Sequence, residues 1–298
     1  MEEKRGMRGE DQPRWWGMAG VFPGELGLWK GRQWRNQRVF VAERGFHGAN
    51  ASAGDLEDED RREELGGITG AEGWAWFITY ELDLEADPES ERKRLAEAVD
   101  RHLALAGSLS LPVAHFVVRG ERHRFEQAYP LDRQLAELAR RLRPVVQSLG
   151  QAGIVPVIEN HGDYYVSDLV QLAEEVPGLR LLLDTGNCAL IGERLDMIPP
   201  AAYPLMAATH FKDHRLRPDR GKLSFHLTGA TLGEGDVGLE AFYSRLLHYH
   251  PDPGGVRMMV EWVPDPRKAV GQCLNDSLRF LERLSDGAFC PRLLEEDE

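Results

Sequence analysis

Cysteine is scarce here. Cys188, Cys273 and Cys290 are the only three in 298 residues, and they form neither a paired motif nor a metal-ligand spacing. That excludes a disulfide framework and reads as reduced thiols in the cytoplasm. Long apolar runs are missing too. None approaches the roughly 18 residues of a membrane span, and the charged start Met1-Glu2-Glu3-Lys4-Arg5 is followed by no apolar stretch of the kind a signal peptide carries. Positive charge is in short supply: 36 Lys and Arg stand against 49 Asp and Glu, for a net charge of -13. So acidic a chain has little electrostatic grip on nucleic acid or on an anionic membrane. Finally, no phosphate-gripping glycine fingerprint follows an early strand, which argues against a dinucleotide-binding fold.

What is present alternates. Apolar or β-branched runs near 39–43, 74–84, 112–118, 154–159, 179–184, 206–212 and 256–262 read as strands. Between them lie stretches with helical spacing: 88–106, 131–149, 166–176, a short piece near 200–205, 239–248 and 266–284. Asp87 and Pro88 start the first of these, as N-cap and first-turn residue. Strand–helix alternation means a parallel sheet covered by helices. Seven readable strands, with an eighth in the Trp-rich start, favour an α/β fold of the TIM-type (β/α)8 barrel class with an irregular or degenerate N-terminal first strand. Three segments are expected: an irregular arm at 1–35 that carries Trp15, Trp16, Trp29 and Trp34, one barrel domain at 36–286, and an acidic, mobile tail at 287–298. The arm either packs its tryptophans on the domain or supplies the first strand, around Met18–Phe22. The acidic run from Gly54 to Leu65 reads as a solvated face.

Four consecutive strands end on a potential ligand. Ile154–Ile158 ends in Glu159, Leu181–Leu183 in Asp184, Met206–Thr209 in His210, and Met258–Val260 in Glu261. In a parallel barrel the strand C-termini open on one face, which carries the site. Any one of these residues alone reads as an ion-paired group at the barrel mouth; four in succession read as a cluster. Clustered buried carboxylates are costly unless a cation compensates them. Three carboxylates and an imidazole suit one divalent ion: Mn²⁺, Mg²⁺ or Co²⁺, with Zn²⁺ also admitted. His161 and Lys212 each follow a ligand by two positions and are candidate substrate contacts, as is Arg119 at its strand end; each also reads as a structural partner. His214, Arg215, Arg217 and Arg220 form a basic stretch that either binds an anion or is simply solvated. The segment from His214 to Gly238 is long for a barrel loop. Within it Leu232-Gly233-Glu234-Gly235-Asp236 reads either as a lid-like turn or as a turn that sets the next helix, and His226 is a weak ligand candidate.

The motifs Ile158-Glu159-Asn160-His161, Leu183-Asp184-Thr185-Gly186-Asn187, His210-Phe211-Lys212-Asp213, Leu232-Gly233-Glu234-Gly235-Asp236-Val237 and Val260-Glu261-Trp262 resemble the xylose-isomerase-like TIM-barrel superfamily, in its sugar phosphate isomerase/epimerase group. The similarity spans about 74–284. It implies that Glu159, Asp184, His210 and Glu261 bind one divalent metal and that Glu159 and Glu261 are the acid/base pair of an isomerase or epimerase acting on a sugar or sugar phosphate. A homo-oligomer is compatible with it. Asn187 stands where several epimerases of the superfamily carry histidine, a departure that weighs against a standard ketose 3-epimerase; Asn187 itself is a candidate substrate contact. The alternative on the same scaffold is a dehydratase of the inosose or dehydroshikimate type. An apurinic endonuclease fits less well: it needs further histidines on earlier strands, and the strands ending near Leu84 and Arg119 supply none at their ends. A barrel that kept its ligands without activity is the remaining reading.

Overall fold

The computed structural model describes residues 12–20, 39–69, 74–120 and 122–294. Trp29, Trp34, the Val21-Phe22 end of the expected first strand and the last residues of the acidic tail, 295–298, lie outside them.

Eight parallel strands close into a barrel. In chain order they are β1 (Trp15–Gly20), β2 (Gly48–Ser52), β3 (Ala75–Asp83), β4 (Val113–Arg119), β5 (Val155–Glu159), β6 (Arg180–Asp184) and β7 (Met206–Phe211). An antiparallel ribbon of β8 (His214–Pro218) and β9 (Phe225–Gly229) follows, and then the last barrel strand, β10 (Arg257–Glu261). β10 returns to β1, pairing from Trp15 opposite Arg257 to Met18 opposite Val260; the register then shifts, and Gly20 lies opposite Glu261. The helices are α1 (Glu59–Thr69), α2 (Pro88–Leu105), α3 (Leu131–Gln151), α4 (Val166–Glu175), α5 (Thr185–Leu190), α6 (Leu239–Tyr249) and α7 (Val270–Leu284). Asp87 caps α2 as expected, its carboxylate accepting from Ser90 N–H at 2.9 Å. No helix of the described residues is long and apolar enough to cross a membrane.

The main difference from the sequence reading lies at the start. Residues 39–43 are helical, not a strand. The helix stops in a left-handed turn: Gly45 has φ +85°, its N–H bonds Ala42 O, and Phe46 N–H reaches back to Val41 O. That is the glycine-terminated helix end in which two otherwise orphaned carbonyls are satisfied. The second barrel strand is instead β2, Gly-Ala-Asn-Ala-Ser, which has no apolar run to announce it. The first strand does lie in the Trp-rich start, at Trp15–Gly20.

A glycine on each of these two strands, Gly17 and Gly48, makes room for one large side chain. The Trp15 ring stacks on Phe77 at 5.3 Å. A Cβ on Gly17 would meet that ring at 2.4 Å, and one on Gly48 would meet it at 2.5 Å and Ala75 O at 2.0 Å. Trp15 therefore packs with an inner apolar layer of Phe77, Val113, Val157, Leu182, Ala208 and Met259. Side chains alternate along a strand, so the residues two positions further on form the next inward layer. These are Thr79, His115, Glu159, Asp184, His210 and Glu261. A dry floor thus underlies a polar layer.

The far end of the chain is packed as far as it is described. Phe289 is buried and stacks on Trp16 at 5.2 Å, and Leu294 N–H donates to Asn275 Oδ1 at 2.7 Å.

Candidate metal centre

Glu159, Asp184 and Glu261 each end a barrel strand, and His210 is next to last on β7. One ligand atom from each lies within 4.8 Å of the others. His210 Nδ1 is 3.1 Å from Glu159 Oε1, 3.3 Å from Glu261 Oε2 and 3.9 Å from Asp184 Oδ2. The Asn50 amide on β2 faces the other ring nitrogen, Nε2, at 3.5 Å. Asp184 doubles as the N-cap of α5, with Oδ1 accepting from Asn187 N–H at 2.8 Å. Asn160, of the Ile-Glu-Asn-His motif, ties β5 to β6: its Oδ1 accepts from Asp184 N–H at 2.7 Å and its Nδ2 donates to Asp184 O at 2.9 Å.

Lys212 and Asn187 join the cluster. Lys212 Nζ lies 2.8 Å from Asp184 Oδ2 and 3.1 Å from Glu261 Oε2, and donates to Asn187 Oδ1 at 3.2 Å. Asn187 Nδ2 donates in turn to Glu159 Oε1 at 3.2 Å. Gly186 permits this approach, since a Cβ there would meet Lys212 Cγ at 2.7 Å and the His214 ring at 2.6 Å.

Electrostatics divides the four ligands. Burial alone would raise Glu159, but the His210 charge and hydrogen bonds from His115 and His210 win and hold it well below the ordinary carboxylate range. Glu261 is likewise held low against burial, by the His210 hydrogen bond and charge and then by Lys212. Asp184 goes the other way. Burial pushes it up to about 8, Lys212 opposes, and the charges of Glu159 and Glu261 add to the rise. His210 is raised to about 10, because the Glu159 and Glu261 carboxylates outweigh its burial. Lys212 is also raised, with Asp184 and Glu261 overcoming burial.

The donor set fits a divalent cation. Three carboxylates and one imidazole converge, and the buried Asp184 Oδ2 accepts no hydrogen bond in good alignment among the described residues, although the Lys212 ammonium lies 2.8 Å away.

Among the described residues no hydrogen bond or ion pair joins His161, Arg119 or His226 to the four ligands, although the His161 charge is felt at His115. His161 is exposed just beyond β5, its backbone N–H donating to Asp163 Oδ1 at 3.0 Å. Arg119 is exposed at the end of β4 and pairs with Glu81. The long segment after Lys212 is mostly the β8–β9 ribbon, which carries Arg215 and Arg217, and His226 is held on it by Asp219 at 2.9 Å. The Leu232–Val237 glycines wrap a buried carboxylate: Asp213 Oδ2 accepts from Gly233 N–H at 2.9 Å and from Gly235 N–H at 3.0 Å. The motif is thus a turn pinned ahead of α6.

Asn50 and one histidine escaped the sequence reading. No histidine stands at the end of β3 or β4, yet His115, in the middle of β4, enters the site and donates from Nε2 to Glu159 Oε2 at 2.8 Å. β4 runs on past the level of the ligands, so its strand end was the wrong place to look; the period-two position above Val113 was the available signal.

A family profile described as the xylose isomerase-like TIM barrel matches residues 40–284. No curated protein sequence matches the chain. Among solved structures, a xylose isomerase-like TIM barrel protein from Mycobacterium smegmatis in complex with magnesium superposes with a TM-score of 0.65 at 18% identity, covering 92% of this chain and 98% of that one. The probable 3-DHS dehydratase AsbF of Bacillus anthracis gives 0.60 at 17% identity, covering 92% and 97%. The 3-keto-D-glucoside 4-epimerase YcjR of E. coli gives 0.65 at 15% identity, covering 90% and 98%. At these identities the structural likeness speaks for the fold, and the profile, which spans most of the sequence, speaks for the family. The chain belongs to the xylose isomerase-like TIM-barrel family.

Proposed function

We propose that the protein is a divalent-metal-dependent isomerase or epimerase of a sugar or sugar phosphate that works through an enediolate. The observation that carries this reading is the convergence of Glu159, Asp184, His210 and Glu261 within 4.8 Å, with the Lys212 ammonium against two of them. These four residues would hold the ion, which when bound polarises a substrate carbonyl and offsets negative charge on its oxygens. Glu261 removes the proton from the carbon beside the carbonyl, and the electron pair moves into the enediolate. Its side chain is 27% exposed, against 3% for Glu159, so it is the carboxylate more open to the mouth of the barrel. Lys212 stays protonated and stabilises the developing oxyanion. Glu261, now protonated, can return that proton to the neighbouring carbon, which gives the aldose–ketose isomer. An epimer needs a proton on the other face of the same carbon: Glu159, the second member of the pair, relays one from solvent to that face while Glu261 releases its own to solvent, so both carboxylates end ionised as they began.

The second reading is a dehydratase, in which the enediolate expels a hydroxyl as water. Asn187 in place of the epimerase histidine, together with the likeness to a probable dehydratase, favours it. Solvent deuterium exchange with a panel of ketoses, inososes and their phosphates in Mn²⁺ tests both. Exchange without loss of water is the expected result. An unsaturated or 2-keto-3-deoxy product assigns the dehydratase, and exchange no faster than in Glu261→Gln across the panel sinks the proton-transfer reading for those substrates.

A further inference from the structure

Glu159 has both carboxylate oxygens engaged. Oε1 faces the cluster, with Asn187 Nδ2 at 3.2 Å and His210 Nδ1 at 3.1 Å. Oε2 faces β4, where His115 Nε2 lies 2.8 Å away. We infer that His115 is a positioning residue which, itself held by Thr79, locks Glu159 so that one oxygen, Oε1, is presented to a divalent cation. The inference rests on reading the cluster as a metal site.

The bonding fixes the imidazole. An ionised carboxylate only accepts, so His115 must donate and its proton sits on Nε2. Nδ1 then carries the lone pair and accepts the Thr79 hydroxyl, 3.1 Å away. Thr79 and His115 are direct partners in the β3–β4 ladder, so rigid backbone sets their spacing. His115 is buried and stands two positions beyond Val113, in the inner apolar layer. With both ring nitrogens used and a packed floor beneath, the ring has one orientation. A carboxylate held through its outer oxygen cannot turn to bind a cation with both oxygens, and less of its motion remains to be lost on binding.

Two amide substitutions separate positioning from mere filling of space. Gln at 115 can place an N–H near the position of Nε2, while Asn reaches only that of Nδ1. Mn²⁺ affinity of the full chain, measured by isothermal titration calorimetry with thermal melts alongside, is expected to fall about 10- to 100-fold in His115→Asn and to stay close to wild type in His115→Gln. Equal affinities, or equal losses, in the two variants overturn the inference. If His115→Asn does not fold, the isosteric Thr79→Val decides: a loss of affinity is expected, and an unchanged affinity overturns the inference. A wild-type chain that takes up no Mn²⁺ overturns the metal reading and this inference with it. A wild-type chain that binds, with variants that bind alike, overturns this inference alone.

Discussion

Lys212 sets the sharpest test on a single residue. Its ammonium competes with a cation for Asp184 and Glu261, yet it is also the group that would meet an oxyanion. Lys212→Met is therefore expected to tighten Mn²⁺ binding while lowering kcat by about 10²- to 10³-fold, the usual cost of losing one charge-stabilising donor. Calorimetry and steady-state kinetics read the two effects separately; a parallel loss of both makes Lys212 a structural residue. The raised groups give a pH dependence. Without metal, His210 at about 10 and Asp184 at about 8 both hold protons at neutral pH, and both must release them to ligate. Mn²⁺ uptake at pH 7 should thus release protons, and apparent affinity should rise as pH increases toward 8. Titrations in buffers of differing ionisation heat measure the release, and a binding heat independent of the buffer contradicts it. The stability sign follows from the same shifts. Both folded-state values lie above the unfolded ones, so this contribution is complete at low pH. In metal-free protein it declines as pH rises through about 8 for Asp184 and through about 10 for His210.

At the level of elements, β1 shows why part of the fold was hard to read. Trp-Trp-Gly-Met-Ala-Gly has no continuous apolar run, yet Trp15 points into the barrel while Trp16 and Met18 pack outward against the helices. Trp16 is fully buried, so Trp16→Ala should cost about 3–5 kcal/mol, whereas Leu223→Ser on the exposed ribbon should stay within about 0.5 kcal/mol. Denaturant melts compare them, and a Trp16→Ala chain as stable as Leu223→Ser would mean that β1 does not close the barrel in solution. The strands that carry Glu159, Asp184, His210 and Glu261 were legible because short apolar runs stop at a chemically distinct residue. β2 was not, because its residues are small to accommodate Trp15. The run Val39–Glu43 misled because five apolar-rich residues fit a strand or one buried turn of helix equally well, and only Arg44-Gly45 marks the helix end. His115 was hidden for another reason: its role depends on the register between strands, which no single stretch of sequence contains.

For the whole molecule, the barrel holds its charged layer on a dry floor, and a bound ion should stabilise the entire fold through that layer. A ligand at about 100 times its Kd adds about 2.7 kcal/mol, and each kcal/mol moves Tm by about 2–4 °C in domains of 150–250 residues. Mn²⁺ should therefore raise the melting temperature of the EDTA-treated protein by several degrees. Asp184→Asn isolates the cause. Asn is as good an N-cap as Asp, so the bond from Asn187 N–H at the start of α5 can persist. Asp184 is largely protonated at neutral pH in the metal-free fold, so the neutral amide resembles the state it replaces, and Lys212 keeps Glu261 and Asn187 as partners. The variant should melt near wild type in EDTA and lose the Mn²⁺-induced rise. A rise that survives in Asp184→Asn would place the ion elsewhere. A variant that is already destabilised in EDTA would show that Asp184 holds the barrel together as a charged partner of Lys212 rather than waiting as a ligand.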